Sequence, residues 1–291
     1  MKFIAPFSLF ILLFFSNHSW ALGQGGHKLV CQLAYDMLPI SKQQKVNALI
    51  DLIPIAHKDH INRYLKQDLD GPVSFAKSCV WADAVKRHDD YKQFSAWHFI
   101  NVDRDDTSID AEDCDKDCIT RAIEIHKTQL VSNKNNWKKV QALMFLGHWI
   151  GDIHQPLHVS FQSDWGGNKV KVESKTNRCT TLHWIWDSCI IGTDKETDSE
   201  LVAEFSKTLK NLNSTSWLGG DHYTWATESL NISRTPSVSY CKLNNQNKCI
   251  QPDLDEPLSL TEDYISAHRP ILKERILKAA VRLSDVLEKS L

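Results

Sequence analysis

Histidine and aspartate occur at a four-residue spacing near the middle of the chain. His148 and Asp152 lie in an apolar segment that runs on to Pro156 and His158. Side chains four residues apart on a helix point from the same face, and a proline ends or kinks the helix that reaches it. An imidazole, a carboxylate and a second imidazole gathered at a helix end supply half of a metal site.

A second pair repeats this spacing further along the chain. His183 and Asp187 are again four residues apart and again lie within an apolar run. Charged side chains are rarely buried without partners, so two buried pairs require either each other or bound cations. His154 follows Asp152 by two residues and points from a different helix face. We therefore expect His154 to support the site or the fold rather than to bind a metal.

The amino-terminal segment has the features of a secretory signal peptide. Lys2 precedes an apolar run over residues 3–15, and the small residues Ser19 and Ala21 suit the last positions before a cleavage site. We therefore predict cleavage after Ala21, a mature chain that begins at Leu22, and a secreted or periplasmic protein. The run is too short for a stable membrane anchor, and no other segment is long and apolar enough to span a bilayer.

Composition excludes some classes of function but leaves others open. The chain has 291 residues and no Gly/Ser-rich or Pro-rich linker in its middle, so we predict a single domain over residues 22–291. The net charge of −2 provides no global basic field and argues against a simple electrostatic nucleic-acid binder. A metalloenzyme that acts on phosphates is still allowed, because bound cations can be the largest local charges in a site.

Eight cysteines follow the predicted signal peptide, and an even number in an exported chain favours disulfides. Cys114 and Cys118 bracket a short acidic loop and are predicted to pair with each other. The other cysteines are Cys179 and Cys189 around the second His/Asp pair, Cys241 and Cys249 around a polar loop, and the remaining Cys31 and Cys79. Their connectivity is open from sequence alone. Zinc–thiolate sites are the alternative, which the lack of any Cys-x-x-Cys pair disfavours.

Apolar periodicity predicts a mainly α-helical protein with a small β hairpin. Pro39 should end the first helix, and Ser41 should cap the second. We predict that residues 54–77 are irregular and that residues 96–101 are extended. Residues 169–173 suit one strand of the hairpin. The predicted helices cover about residues 29–38, 41–53, 78–87, 119–131, 137–154, 181–191, 196–212, 220–231 and 259–289.

Seven segments of the chain follow one another in the order of a known family. They are Gly23–His27, Trp81–Asp83, Trp97–Ile100, Gly147–His158, Gly166–Asn168, Leu182–Asp187 and Trp225–Ser229. With these segments the chain resembles the zinc-dependent single-strand nucleases of fungi, plants and bacteria (the type I nucleases, which include the mung-bean enzyme). The resemblance implies a helical bundle of the type found in bacterial zinc phospholipase C and these nucleases.

The resemblance also implies three zinc ions, each held by residues from several segments. Asp152 would bridge two of these ions, and removal of the signal peptide would free the amine that one of them needs. The predicted ligand sets are Asp83, His98, His148 and Asp152 for the first ion; His158, His183 and Asp187 for the second; and His27, Asp152 and the amino group and carbonyl oxygen of Leu22 for the third.

One position departs from the family pattern. The family's mature chain normally begins with Trp, whereas the corresponding position here is Leu22. Because backbone atoms would bind the metal, we expect the chemistry to survive the change. Cys31 and Cys79 each lie four residues from a predicted ligand, His27 and Asp83. A bridge between these cysteines would tie two ligand segments together.

The resemblance assigns further roles near the metals. Asp83 and Asp152 would act in catalysis with Lys86, which would support negative charge in the transition state. Phe99 would stack on a base and Asn101 would hydrogen-bond to its edge, while Asn168 would border the same pocket. The alternatives are a solvent-facing pair of Lys86 with Arg87 at a helix end and a core position for Phe99.

The most specific function implied is a secreted zinc endonuclease. It would cleave single-stranded DNA and RNA to 5′-phosphate products and would also act on 3′-nucleotides, as a monomer without a stable membrane anchor. A phospholipase C on the same fold is the alternative, because the metal ligands alone do not separate the two. A non-catalytic zinc-binding or adhesive protein is disfavoured, since all eight ligand side chains and the lysine are present.

Overall fold

Helices make up most of the computed structural model, which describes residues 22–174, 178–192, 198–246 and 248–291. The predicted signal peptide lies outside the described residues. The mainly α-helical fold is therefore confirmed. None of the helices within the described ranges is long and apolar enough to cross a membrane.

The helices vary from a single turn to 29 residues. The α-helices are α1 Gln24–Met37, α2 Ile40–Asp51, α3 Ile55–Tyr64, α4 Phe75–Ser78, α5 Trp81–Val85, α6 Ile119–Ser132, α7 Asn136–Asp152, α8 Leu182–Trp184, α9 Asp198–Asn211, α10 His222–Ser233 and α11 Glu262–Ser290. Short 3₁₀ turns span Lys92–His98, Pro156–His158, Gln162–Asp164, Ser214–Trp217 and Pro236–Val238. A π-helical turn, Ile185–Cys189, directly follows α8.

Helix α7 is the central element of the fold. Every residue from Ala142 to Asp152 is buried, which is the pattern of a helix covered by protein on all sides. It packs against α1, α2, α5, α6 and α11. Asn135 caps its first turn by accepting a hydrogen bond from the backbone N–H of Lys138 at 3.2 Å. The central helix predicted from sequence is thus present and holds the first His/Asp pair inside the protein.

Within the described residues, six short strands form three two-stranded pairs. β1 Ile100–Val102 runs parallel to β2 Val159–Phe161, β3 Val172–Glu173 runs parallel to β6 Leu258–Ser259, and β4 Lys242–Leu243 is antiparallel to β5 Cys249–Ile250. The small hairpin is therefore β4–β5. The strand predicted over 169–173 is shortened to β3, and its neighbour Lys171 makes an antiparallel bridge with Thr181.

Three local predictions are wrong in detail. Residues 54–77 are not irregular, because α3 and α4 occupy much of the segment. Helix α3 was missed because only Ile61 and Asn62 of its residues are buried, which gives no apolar period. Helix α2 begins at Ile40 after Pro39, so Ser41 lies inside it and is not its cap. The segment 96–101 is a 3₁₀ turn up to His98 and extended only after it.

Four disulfides join the eight cysteines, and the predicted Cys114–Cys118 bridge is one of them. They are Cys31–Cys79, Cys114–Cys118, Cys179–Cys189 and Cys241–Cys249. The Cys31–Cys79 bridge passes across α7 at Gly147, where a Cβ atom would collide with both sulfurs. Glycine at this position therefore allows the bridge to tie α1 to the segment that leads into α5.

A buried ionic cluster from α10 and α11 holds the carboxyl end of α7. Glu228 pairs with Arg275 and with Arg282, whose Nη2 lies 2.7 Å from Oε1 of Glu228. Arg275 donates to the backbone carbonyl of His154 at 3.1 Å, and Ser229 donates to that of Ile153 at 2.6 Å. These donors satisfy carbonyl groups that a helix end leaves without intrahelical partners. The cluster gives the Trp225–Ser229 motif a structural role.

His154 belongs to this cluster, which agrees with its predicted supporting role. Its Nδ1–H donates to the carbonyl of Ile150 at 2.7 Å, and its Nε2 accepts from Arg282 at 2.8 Å. Burial and the two arginines hold the pKa of His154 well below its usual range. The ring is therefore neutral and has both nitrogens in use.

Glu228→Gln is expected to destabilise the protein at neutral pH and to have little effect in strong acid. Burial opposes ionisation, but Arg282 and Arg275 lower the pKa of Glu228 from 4.5 to about 2. A carboxylate whose pKa falls on folding contributes stability that is complete above its unfolded value and is lost as the pH falls through its folded value. With the Glu228 side chain 29% exposed, screening reduces the effect to roughly 2 kcal/mol.

Urea unfolding of the metal-free protein, at neutral pH and near pH 3, measures this difference. The cost should be roughly halved near pH 3, because that pH lies below the unfolded pKa of Glu228 but still above the folded one. Asp89→Asn, which alters an exposed pair with Lys92, is the control and should cost less than about 0.5 kcal/mol. A Glu228→Gln cost that is the same at both pH values would contradict the prediction.

Candidate metal centre

Seven elements bring the eight predicted side-chain ligands together inside the protein. Helix α7 supplies two of them, and the others come from α1, α5, α8, two 3₁₀ turns and the π-helical turn. All eight are buried: His27, Asp83, His98, His148, Asp152, His158, His183 and Asp187. They form three overlapping or adjacent groups in which the possible ligand atoms lie within 4.8 Å of one another.

The first group lies around the carboxyl end of α7. Nδ1 of His98 and Nε2 of His148 each approach Oδ2 of Asp152, at 3.1 and 3.2 Å. The two ring nitrogens are 3.1 Å apart. Two atoms bound to one tetrahedral zinc at about 2.05 Å are about 3.3 Å from each other. The spacing of these three atoms is therefore that of ligands to a single ion.

The second group contains His27, which lies against the oxygen of Asp152 that the first group does not contact. Nε2 of His27 lies 3.2 Å from Oδ1 of Asp152, and its ring stacks on His148 with centroids 3.7 Å apart. Asp83 completes a group with His27 and His148. The ring of His27 occupies the space beside Gly151, where a Cβ atom would lie 2.8 Å from Nδ1. Asp152 thus faces histidines with both of its oxygens.

The third group is formed by His158, His183 and Asp187. Nε2 of His158 lies 3.5 Å from Oδ1 of Asp187, and Nε2 of His183 lies 3.4 Å from Oδ2. Asp187 is in the π-helical turn, a distortion often found at functional sites. Gln155 donates to Oδ1 of Asp187 at 2.6 Å and thereby fixes the carboxylate.

Backbone carbonyls set the orientation of three of the histidines. Each donates its Nδ1–H to a carbonyl oxygen, which leaves the Nε2 lone pair facing the groups described above. These bonds are His148 to Cys79 at 2.6 Å, His158 to His98 at 2.7 Å and His183 to Gly166 at 2.6 Å. Gly166 has φ +64°, and a Cβ atom there would lie 2.7 Å from the carbonyl oxygen of Leu157.

Several buried atoms of the centre have no hydrogen-bond partner among the described residues. Buried polar groups are normally paired, so a cluster of such atoms indicates a ligand that binds them all. Those that face the groups described above are Nε2 of His27, His158 and His183, Oδ1 of Asp152 and Oδ2 of Asp187. Imidazole nitrogens and carboxylate oxygens are zinc ligands, so the residues present fit metal ions.

The ionisation of the centre also favours cations. Burial alone would raise the pKa of Asp152, but His148, His158 and His27 hold it well below its usual range. Burial opposes charge on His158 as well, yet Asp152 and Asp187 raise its pKa to about 9. These two carboxylates therefore favour positive charge at the His158 ring, whether a proton or a metal ion supplies it. Because a metal ion binds the neutral imidazole, its affinity rises with pH.

Leu22 lies beside the metal centre, at the start of the described chain. Its side chain is buried and occupies the space above Gly26, where a Cβ atom would lie 2.7 Å from Cγ of Leu22. The neighbouring Gly23 donates its backbone N–H to the carbonyl of Asp187 at 2.9 Å. Leu22 thus provides an apolar anchor where the family pattern has Trp.

Two residues of the centre were not predicted from sequence. Gln155 donates a hydrogen bond to Asp187. Tyr64 donates one to Asp83, with its hydroxyl 3.1 Å from Oδ2. Gln155 lies in the Gly147–His158 segment, between the predicted ligands Asp152 and His158. This position could have indicated its role from the sequence. Tyr64 lies in the missed helix α3, 19 residues before Asp83, and nothing in its local sequence marks it.

The predicted substrate residues lie along the β1 and β2 side of the centre. Phe99 precedes β1 and is 38% exposed, so it is not a core aromatic. Asn101 is opposite Ser160 in the β1–β2 pair, and its buried Oδ1 has no hydrogen-bond partner among the described residues. Asn168 donates its side-chain N–H to the carbonyl of Trp165 at 2.9 Å within the neighbouring turn.

Lys86 points into the centre. Its Nζ lies 2.9 Å from Oδ1 of Asp83, and the Lys86 side chain is 22% exposed. Lys86 and His148 hold the pKa of Asp83 below its usual range, although burial alone would raise it. The alternative in which Lys86 faces solvent is therefore wrong. Arg87, the next residue, is exposed as that alternative required.

Comparison with known proteins agrees with this geometry. The S1/P1 nuclease family model matches residues 22–291. Endonuclease 3 of Arabidopsis thaliana is 30% identical over 97% of this chain and 93% of its own length. Nuclease S1 of Aspergillus oryzae is 28% identical over 73% of this chain and 78% of its own. Nuclease P1 of Penicillium citrinum is 30% identical over 50% of this chain and 59% of its own.

The family match covers every element that supplies a residue to the centre. It confirms the resemblance drawn from the seven sequence segments, and it agrees with three adjacent His/Asp groups that could hold metal ions. The chain therefore belongs to the S1/P1 nuclease family and is a metal-dependent phosphodiesterase that hydrolyses nucleic acids.

Proposed function

We propose that this chain is a zinc-dependent endonuclease that cleaves single-stranded DNA and RNA to 5′-phosphate products and also removes the phosphate of 3′-nucleotides. The observation that carries the proposal is the set of eight buried His and Asp side chains that meet in three groups, several of whose possible ligand atoms have no hydrogen-bond partner in the described chain. A donor set made only of histidine and aspartate suits zinc.

Three zinc ions would divide the centre between them. The proposed sets are Asp83, His98, His148 and Asp152; His158, His183 and Asp187; and His27, Asp152 and the backbone of Leu22. The position of His27 supports the sharing of Asp152, because its Nε2 approaches Oδ1 while His98 and His148 approach Oδ2. A carboxylate has lone pairs enough on its two oxygens to serve two ions.

The amino group of Leu22 would complete the third set after signal-peptide cleavage. The burial of the Leu22 side chain and the bond from Gly23 to Asp187 support this role, because they hold the backbone of Leu22 beside the centre. The four disulfides support export through a secretory route, since such bonds persist in oxidising compartments.

Bound zinc would supply a water activated for attack on phosphorus and positive charge for the phosphoryl oxygens. The chain's own residues then divide the remaining work. Asp83 accepts from Lys86 and Tyr64 and would orient the attacking water with an oxygen lone pair. Lys86 would bring a positive charge to the developing negative charge of the transition state.

Phe99 and Asn101 would bind a base beside the reacting phosphate. The exposed ring of Phe99 offers a stacking face, and the amide group of the half-buried Asn101 side chain would hydrogen-bond to a base edge. Asn168 would border this pocket from the turn after β2. A base in a duplex is not free to stack on a side chain, so this mode of binding favours single strands.

A substrate panel tests the proposal. Mature protein starting at Leu22 is incubated with single-stranded DNA, RNA, a 3′-mononucleotide and phosphatidylcholine vesicles, with chelator and then with added zinc. We expect the DNA and RNA to be cleaved to products with 5′-phosphates and the 3′-mononucleotide to release free phosphate. Chelator should abolish both activities, and added zinc should restore them. If the protein hydrolysed the lipid headgroup but neither the nucleic acids nor the nucleotide, it would be a phospholipase C and not a nuclease.

A further inference from the structure

Asp83 accepts hydrogen bonds on both of its carboxylate oxygens. Lys86 donates to Oδ1 at 2.9 Å, and the hydroxyl of Tyr64 donates to Oδ2 at 3.1 Å. The carboxylate side chain is 1% exposed, so solvent does not determine its orientation. Two donors on opposite oxygens fix the rotation of the carboxylate plane, which Lys86 alone would leave free.

We propose that Tyr64 is a positioning residue that fixes the orientation of Asp83 as a metal ligand. The inference rests on the proposed function, in which Asp83 both binds zinc and orients water. A carboxylate oxygen can accept a hydrogen bond and bind a metal at the same time, because it has two lone pairs. Partners of this kind hold metal ligands in place and commonly affect metal affinity and activity.

The chemistry of Tyr64 suits this role better than a charged donor would. The hydroxyl of a tyrosine is a neutral O–H donor whose ordinary pKa is about 10. It therefore stays a neutral O–H donor and adds no charge that would oppose a zinc ion. Lys86 differs in this respect, because its ammonium group adds a positive charge next to the site.

The main chain of Tyr64 is itself fixed to the start of the mature protein. Nε2 of Gln24 donates to the carbonyl oxygen of Tyr64 at 2.9 Å. Gln24 lies two residues after Leu22, the proposed backbone ligand. Tyr64 therefore contacts Asp83 through its hydroxyl and the amino-terminal segment through its carbonyl, and both contacts lead to the metal centre.

Tyr64→Phe removes the hydroxyl and leaves the ring and the carbonyl bond in place. For single-stranded DNA we expect kcat to fall by about tenfold while KM stays within about twofold of the wild type. We also expect zinc to be lost about tenfold more readily to a competing chelator. Partial recovery of kcat at raised zinc would separate a positioning role from a general loss of structure.

Tyr91→Phe is the matched control. The Tyr91 hydroxyl is partly buried on the neighbouring segment and contacts Gln141 and His57, at 3.2 and 3.4 Å, neither of which is a proposed ligand. This variant should keep wild-type kcat and zinc affinity. Circular dichroism of both metal-free variants checks that each is folded.

The outcomes distinguish the inference from the proposed function. If the wild type cleaves DNA in a zinc-dependent way but Tyr64→Phe has wild-type kcat and zinc affinity, the inference is overturned and the proposed function stands. If the wild type shows no zinc-dependent cleavage, the proposed function is overturned together with the inference. The inference is supported if Tyr64→Phe loses kcat and zinc affinity while Tyr91→Phe keeps both.

Discussion

Asp152→Asn is expected to lower the rate of nucleic-acid hydrolysis by at least about a thousand-fold. Asp152 is fully buried, and its two oxygens face His27 on one side and His98 and His148 on the other. An asparagine keeps the shape of the side chain but replaces one oxygen with an NH₂ group, which cannot bind a metal. One of the two ions proposed to share Asp152 would lose its ligand atom, and the other would keep only a neutral amide oxygen.

Steady-state hydrolysis of single-stranded DNA and the zinc content of the purified variant measure this effect. Asp198→Asn makes the same chemical change at an exposed ion pair with Lys28 and should leave both values unchanged. Activity of Asp152→Asn within about tenfold of the wild type would show that Asp152 does not bridge metal ions.

Adding residues before Leu22 is expected to remove one zinc ion and most of the activity. A Gly-Ser extension converts the proposed amine ligand into an amide, which has no lone pair available for a metal. The buried Leu22 side chain and the bond from Gly23 to Asp187 leave the backbone little freedom to move aside. We expect kcat to fall by about a hundred-fold, since the His27 group loses the amine ligand.

The extended protein and the protein that starts at Leu22 are compared by zinc content and by kcat on single-stranded DNA. The same two residues added after Leu291, which follows the last residue of α11, provide the control for any nonspecific effect of the extension. Equal zinc content and equal kcat in the two amino-terminal forms would show that the mature amine is not a ligand.

The sequence predicted the ligand segments because metal sites need particular residue types at particular spacings. His148 and Asp152 share a face of α7 simply because they are one helical turn apart. His183 and Asp187 had the same spacing, although a π-helical turn rather than a regular helix carries Asp187. The order of the other segments made the family recognisable before any fold was available.

The parts that sequence did not predict depend on tertiary contacts. Helix α3 buries too few residues to show an apolar period, so neither the helix nor the contact of Tyr64 with Asp83 was visible. The role of Glu228 was hidden for a similar reason, because its partners Arg275 and Arg282 lie in a helix about 50 residues further along the chain. Local patterns carry no information on which distant side chain will meet a carboxylate.

Zinc titration of the metal-free mature protein tests the central claim most directly. Zinc is added stepwise to protein starting at Leu22, while bound metal and cleavage of single-stranded DNA to 5′-phosphate products are followed together. The account predicts no cleavage without metal and a rate that rises to a plateau at about three bound zinc ions per chain. Full cleavage by the metal-free protein, or a fully zinc-loaded protein that cleaves neither DNA nor RNA, would contradict it.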